Sequence, residues 1–208
     1  MHCPSHFREE RLEILHGLIR AHPLATLVTS GSGGLMANLV PFSLHAGGEH
    51  GTLRAHLGWS NRQVEALREG AAVLVIFQGP ESYVSPAWYA SKAEHGKVVP
   101  TWNFTMVQVR GKARVIDDPA WIRTQLEELT GNHENAREHP WTVADAPAAF
   151  TTALIGGLAG IEIPIEAIEG KYKLSQNRTP ADRMGVIEGM RAEGTAAAMI
   201  GLMDEARC

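Results

Sequence analysis

Glycine-containing turns divide the first sixty residues into short apolar segments, and this pattern limits the possible folds more than any other feature. Leu24–Ser30 and Leu35–His45 are apolar or alternating segments joined by Gly31–Gly34. A second glycine-rich turn precedes a third such segment, Gly51–Leu57. Segments of this length joined by tight turns are typical of antiparallel strands. Pro41 interrupts the second segment and indicates a sheet edge or a bulge there.

The rest of the chain predicts further strands and helices. Strands are expected at Ala71–Phe77, Ser82–Pro86, Pro100–Val115, Ala159–Pro164 and Gly170–Leu174. Helices are expected at Phe7–Ala21, Ser60–Glu69, Asp118–Gly131, Asp145–Leu154, Thr179–Ala192 and Ala196–Ala206. In the second helix, Ser60 is interpreted as the N-cap and Gln63 as completing a capping box. These elements predict an α+β chain, mainly β, in which six or seven antiparallel strands form a small barrel with peripheral helices.

Composition limits the location and the partners of the protein. The 208 residues carry a net charge of −4, which argues against a large nucleic-acid footprint. The two cysteines, Cys3 and Cys208, stand at opposite ends of the chain, so no disulfide framework is indicated. This cysteine usage fits a reducing cytoplasm, and no apolar run is long enough to cross a bilayer. A cytoplasmic protein without a membrane partner is therefore predicted.

Tyr83–Gly111 is unusually rich in aromatic and polar side chains for a strand-forming region. It holds two of the five Trp and two of the three Tyr, mixed with hydroxyls, amides and lysines. Aromatic faces beside a few placed donors suit a flat polar ligand. A barrel wall with aromatic anchors is the alternative explanation.

Gly51–Leu67 is a second candidate region, because a strand ending near His56 leads into a helix that starts with polar residues. Hydroxyl, amide and guanidinium groups at a helix start suit a phosphate, although a plain helix cap also explains them. The histidines form no zinc-binding pattern, so no metal site is predicted. No hydrolytic nucleophile is indicated either, and the catalytic residues stay unknown.

Five elements of the chain resemble one known family, and these elements are Pro4–Phe7, the pair His56 and Asn61, Tyr83–Tyr89, Val99–Phe104 and Lys173–Arg178. The resemblance is to the PaiB family, described as FMN-binding negative transcriptional regulators built on the split barrel shared with pyridoxamine-phosphate oxidases. It implies a split barrel, a homodimer and two FMN sites at the subunit interface. Within this framework, residues 1–175 are predicted to form the FMN-binding split-barrel domain and residues 176–208 a C-terminal helical extension.

The resemblance also implies which residues meet the cofactor. The flavin phosphate is expected near the third strand and the following helix, at His56, Asn61, Arg62 and Gln63. The isoalloxazine ring is expected along the second strand, at Ala37, Asn38, Leu39, Val40 and Pro41. The same cavity is expected to be walled, in part from the partner chain, by Ser85, Trp88, Lys92, Thr101, Trp102 and Asn103. Trp59 stands where the family more often has Arg, which removes one cation from the phosphate corner; Arg62 or Arg54 could compensate.

Three functions follow from the resemblance. The leading interpretation is an FMN-binding, PaiB-like negative transcriptional regulator. DNA binding has little support from the residues, because no helix-turn-helix pattern occurs and the basic group from Lys171 to Arg183 is explained as a solvated face. The alternatives are a flavin-dependent oxidoreductase of unknown substrate and a haem-binding split barrel that uses His56 or His95.

Overall fold

The computed structural model describes residues 1–31 and 33–206, which form a mostly antiparallel sheet and seven helices. The strands are β1 (Arg8–Glu9), β2 (Leu24–Gly31), β3 (Gly34–Pro41), β4 (Ser43–His45), β5 (Thr52–Gly58), β6 (Ala72–Val84), β7 (Thr101–Lys112), β8 (Arg114–Ile116) and β9 (Leu158–Lys173). The helices are α1 (Leu12–Ala21), α2 (Gln63–Arg68), α3 (Ser91–His95), α4 (Pro119–Glu134), α5 (Ala148–Ile155), α6 (Pro180–Ala192) and α7 (Ala197–Glu205). Short 3₁₀ turns lie at Ser5–Phe7, Pro86–Trp88 and Val143–Asp145. None of the described helices is long and apolar enough to cross a membrane.

Seven strands lie side by side in the order β3-β2-β6-β7-β9-β5-β4, and β1 and β8 pair with β9 outside this path. The α+β prediction with six or seven principal strands is therefore confirmed. The path runs from β3 at one edge to β4 at the other, so the sheet is open rather than a closed barrel.

The two edge strands follow each other directly in sequence. β3 pairs with β2 from Leu24↔Pro41 to Gly31↔Gly34, whereas β4 pairs with β5. Only Phe42 separates β3 from β4; its amide donates to the Pro23 carbonyl at 2.9 Å, and its side chain is buried. The break predicted at Pro41 is thus the place where the chain leaves one edge of the sheet for the other. The predicted turn between β2 and β3 includes Ser32, which lies outside the described residues.

The chain divides into two compact units. The central unit comprises Ile19–Phe77 and Gln108–Ile168. The terminal unit comprises Met1–Leu18, Gln78–Val107 and the described residues from Glu169 onward. Buried side chains form the core of the central unit, among them Leu27, Phe42, Leu53, Phe77, Ile122, Ile161 and Ile163. The terminal unit buries Val84, Leu174, Val186, Ile187, Met190, Met199 and Met203. The boundary predicted after residue 175 stays a prediction.

Several predicted elements differ from the observed ones. The strands predicted at Ala71–Phe77 and Ser82–Pro86 are one continuous strand, β6. The first helix begins at Leu12 rather than at Phe7, because Arg8 and Glu9 instead pair with β9 as a short strand. The two late strands are one long strand, β9. The long strand from Pro100 is divided into β7 and β8. Gly111, near the end of β7, is required by close approach, since a Cβ there would collide with the Pro164 carbonyl oxygen.

Candidate functional site

Gln63, the first residue of α2, fastens this helix to the edge of the sheet. Its side chain is fully buried, and its Nε2 donates to the Leu27 carbonyl at 3.0 Å and to the Met36 carbonyl at 3.3 Å. Its Oε1 accepts from Asn38 Nδ2 on β3 at 2.8 Å. A buried carboxamide satisfied in this way holds two strands and a helix in one fixed arrangement.

The predicted cap of this helix is corrected by the structure. Asn61 Oδ1, not Ser60, accepts from the Gln63 amide at 3.0 Å, and Ser60 is exposed. Gln63 does not complete a capping box, because its side chain points into the sheet rather than back along the helix. The polar start of the helix thus contains one capping residue and one buried anchor.

The edge strand β3 presents an accessible surface beside this anchor. Ala37, Asn38 and Leu39 are exposed, whereas Val40 is buried and Pro41 is half-buried. Within the sheet path β3 neighbours only β2. Alternate backbone N–H and C=O groups of an edge strand point away from its single neighbour. These groups are suited to the carbonyl and imide groups of a flat heterocycle.

Two arginines flank α2: Arg62 immediately precedes this helix, and Arg68 is its last residue. Arg62 is exposed, and the Arg68 guanidinium stacks over the Trp59 ring at 4.4 Å from the centroid. Both line a cavity of about 340 Å³ together with Trp59, Asn61 and others. Within the described chain, neither guanidinium has a carboxylate partner at ion-pair distance. Position 59, where an arginine was expected, holds a tryptophan whose ring places the Arg68 guanidinium beside it.

Glu65 and Glu69 also line this cavity, so its charge is mixed. A phosphate would be attracted by two arginines and opposed by two carboxylates. The hydrogen-bond donors of this region are of the types that a ligand with a flat polar ring and an anionic tail requires. Because the two positive and two negative charges balance, loss of either arginine would leave a net negative charge that opposes phosphate binding.

His56, also predicted at the phosphate corner, has a different partner. It lies half-buried on β5, and its Nδ1 is 2.8 Å from Oε1 of Gln125 on α4. A carboxamide oxygen only accepts, so in this contact Nδ1 is the donor. Gln125 is buried, and its Nε2 has no hydrogen-bond partner within the described part of the chain.

In the terminal unit, Ser85 and Trp88 have structural contacts. Ser85 Oγ accepts from the Ala87 amide at 3.2 Å and caps a 3₁₀ turn. Trp88 lies against α6 at Gly185 and Gly189, where any Cβ would collide with its carbonyl or its ring. Lys92 is exposed and lines a shallow groove with Trp88. The role of these residues at a cofactor stays a prediction.

The three remaining predicted residues begin β7 and lie beside the end of β9. Lys173 Nζ donates to Thr101 Oγ1 and to the Trp102 carbonyl. Asn103 is fully buried, and its Nδ2 donates to Ser175 Oγ at 3.0 Å. The Trp102 ring is half-exposed and meets Tyr83 edge-on at a centroid distance of 5.8 Å.

Burial lowers the pKa of Lys173, and the positive charges of Lys171 and Arg178 lower it further. The sequence motif Lys173–Arg178 thus supplies hydrogen-bond partners for the first residues of β7.

Sequence reasoning missed two residues of the site region, Arg68 and Gln125. Gln125 is 69 positions away from His56 along the chain, so no local signal could have linked the two residues. The contact between Trp59 and Arg68 could likewise not be predicted, because their spacing does not match the regular period of a helix or a strand. Among the described residues, no group of three or more His, Cys, Asp or Glu side chains could hold a metal ion.

Comparisons with known proteins identify the family. Residues 1–167 match a family described as "Putative FMN-binding domain". An uncharacterized protein of Emericella nidulans is 35% identical over 91% of this chain and 90% of its own length. The Bacillus subtilis protein named "Protease synthase and sporulation protein PAI 2" is 29% identical over 99% of this chain and 97% of its own length.

A solved structure has the same fold. A Mycobacterium smegmatis protein described as binding FAD and haem has a TM-score of 0.59, covering 85% of this chain and 78% of its own. Its sequence identity is only 17%, so it shows the shared fold alone. The resemblance inferred from the sequence motifs is confirmed: the chain belongs to the FMN-binding domain family and is PaiB-like.

Proposed function

We propose that this chain binds FMN with the isoalloxazine ring along β3 and the phosphate near Asn61, Arg62 and Arg68. The observation that carries this proposal is the hydrogen bond between Asn38 and Gln63, which holds the exposed edge strand beside α2. Backbone groups of Ala37 and Leu39 are then available to the ring oxygens and nitrogens. The family assignment supports the same placement, as do the two arginines, which have no ion pair among the described residues.

When bound, FMN supplies hydride and electron transfer, and the protein supplies orientation. Arg62 and Arg68 would hold the phosphate, and Trp59 would keep the Arg68 side chain in place. The buried side chain of Gln63 would act by fixing the geometry rather than by touching the cofactor. The predicted wall of Ser85, Trp88, Lys92, Thr101, Trp102 and Asn103 is retained as part of the proposal.

Fluorescence titration of the purified protein with FMN and with riboflavin tests this placement. Riboflavin lacks the phosphate, so the variants Arg62→Met and Arg68→Met are expected to weaken FMN binding by roughly tenfold and leave riboflavin binding nearly unchanged. Arg137→Met is the matched control, because Arg137 is exposed and pairs with Glu134 one turn earlier. Equal loss for both flavins would contradict the phosphate placement, and no binding of either flavin would contradict the function itself.

The proposal further includes a cytoplasmic homodimer that acts as a negative transcriptional regulator. The resemblance to the PaiB family supports this role, and the net charge of −4 does not favour it. A gel-shift titration of the FMN-loaded protein against its own upstream DNA is decisive. Specific binding that weakens with salt supports direct regulation. Absence of binding would leave a flavin-dependent oxidoreductase, which is recognised by reduction of the bound flavin with NADH or NADPH.

Haem binding is a second candidate, favoured by the geometry of His56. An imidazole whose Nδ1 is fixed by a hydrogen bond and whose Nε2 is an acceptor is the usual form of a metal-ligating histidine. His95, the other candidate, is exposed, and its Nδ1 accepts from the Lys97 amide. A Soret band that appears on adding haemin and is lost in His56→Ala but kept in His95→Ala would support this candidate.

A further inference from the structure

A second cavity of the central unit lies between the last turns of α1 and α4 and the short link from β3 to β4. Its volume is about 350 Å³. It is lined by Arg20, Ala21, Pro23, Phe42, Ser43, Leu44, Leu129, Asn132 and His133. None of the predicted or proposed flavin residues belongs to this lining, so the cavity is separate from the FMN placement proposed above.

The charge of this cavity is one-sided. Arg20, His133 and Asn132 are exposed, and Ser43 on the floor is only 4% exposed. No lining residue carries a carboxylate. In the described parts of the chain, the side chains of Arg20 and His133 have no ion pair or hydrogen bond. The nearest acidic neighbours along α4 are Glu134, which pairs with Arg137 at 3.1 Å, and Glu128, whose Oε2 lies 3.1 Å from His45 Nε2.

The rest of the cavity lining is apolar. Leu44 and Leu129 are half-buried, and Pro23 and the edge of Phe42 complete the wall. A guanidinium group matches the two oxygens of a carboxylate, and an amide nearby can complete its hydrogen bonds. The Ser43 hydroxyl already donates to the Arg54 carbonyl and shapes the cavity without binding the carboxylate. Apolar walls with a few convergent polar groups are typical of sites for small organic ligands.

We propose that this cavity binds a small organic carboxylate. The carboxylate pairs with Arg20 and lies within reach of Asn132 and His133, and its apolar body contacts Leu44 and Leu129. The opposing explanation is that Arg20 and His133 only offset the partial negative charge at the ends of α1 and α4. That explanation predicts a loss of stability when either residue is replaced and no ligand binding.

Calorimetric titration with benzoate tests the proposal, using the full-length protein saturated with FMN so that the flavin site is blocked. If the chain does not bind FMN, the same titration is run without it, so this test does not depend on the proposed function. Benzamide has nearly the same shape without the charge, and inorganic phosphate has charge without an apolar body. Benzoate is expected to bind, and both comparators are expected to bind at least about tenfold more weakly.

Two variants and a control distinguish binding of benzoate in this cavity from nonspecific attraction to positive charge. Arg20→Met is expected to weaken benzoate binding by about tenfold or more and His133→Gln by less, because the guanidinium makes the bidentate contact. Arg137→Met, an exposed arginine outside the cavity, is the control and is expected to change nothing. Thermal unfolding of each variant shows that it is folded, and amide NMR shifts of Asn132 and Leu44 locate the ligand. The proposal is overturned if benzoate does not bind, if benzamide or phosphate binds as well, or if Arg20→Met leaves the affinity unchanged.

Discussion

At the scale of single residues, three neighbouring polar side chains at the start of α2 have three different environments. Asn61, Arg62 and Gln63 are adjacent polar residues, yet one caps the helix, one is exposed and one is buried in the sheet. The sequence shows that all three can serve a phosphate. Burial and hydrogen bonding, which depend on β2 and β3, decide which of them is free to do so.

Replacement of Gln63 by Leu is expected to lower the free energy of unfolding by about 2–3 kcal/mol, because the Leu27 and Met36 carbonyls lose their buried donor. Urea denaturation of the variant measures this change. Asn38→Ala removes only the exposed partner of the same side chain and is expected to cost less than about 1 kcal/mol. Equal effects of the two variants would show that Gln63 is not an anchor.

Tyr172 predicts a pH dependence of stability. Burial, and then the charge of Glu9, raises the pKa of Tyr172 to about 12 from an ordinary value of 10.0. The folded state therefore holds this proton more tightly than the unfolded state, so the contribution is complete below pH 10 and is lost as the pH rises towards 12.

We expect Tyr172→Phe to lose less stability than the parent protein between pH 9 and pH 11, by about 1.3 kcal/mol, because about half of the shift from 10.0 to about 12 is expressed in this range. Urea denaturation at both pH values gives the difference. Lys173, whose pKa is lowered, contributes with the opposite sign but is present in both proteins. Parallel pH profiles would refute the raised pKa.

At the scale of elements, small residues decide how α6 meets the Pro86–Trp88 turn. A Cβ at Gly185 would collide with the Trp88 carbonyl oxygen, and one at Gly189 would collide with the Trp88 ring. Trp88 was predicted as a wall of the flavin cavity from its aromatic character. Its contact with α6 could not be predicted. Two glycines four residues apart on a helix indicate a close contact only when the segment packed against them is known.

Gly185→Ala is expected to destabilise the protein by about 1–3 kcal/mol, since the backbone of the turn must move. Gly201→Ala, in α7, is the matched control: nothing lies within 4 Å of the added Cβ, and the better helix propensity should stabilise by about 0.4–1 kcal/mol. Thermal unfolding distinguishes the two signs. A stabilising Gly185→Ala would contradict the close contact.

At the scale of the whole molecule, the proposed homodimer must cover apolar surface. Leu35 and Leu39 on β3 are 78% and 67% exposed. The proposed FMN site lies along the same strand, so assembly and flavin binding are expected to depend on each other. A partner subunit is the simplest cover for such an edge strand.

The double variant Leu35→Glu and Leu39→Glu is expected to sediment as a monomer and to bind FMN more weakly, because each buried leucine contributes about 1.5–3 kcal/mol. Leu154→Glu, at a similarly exposed position on α5, is the comparison variant. Sedimentation velocity of the three proteins gives the result. A double variant that remains dimeric would place the interface elsewhere.

The strand-rich α+β class, the break at Pro41 and the family could all be predicted from the sequence, because turn glycines, alternation and long motifs are local signals. Three other features became known from the folded chain: β3 and β4 lie at opposite edges of the sheet, Gln63 is buried and Arg68 stacks on Trp59. The tertiary structure also decided that His56 pairs with Gln125. The physical reason is that burial and hydrogen-bond partners are set by segments distant in sequence. A residue's type shows what it can bind, and the fold decides which of its groups remain free to do so.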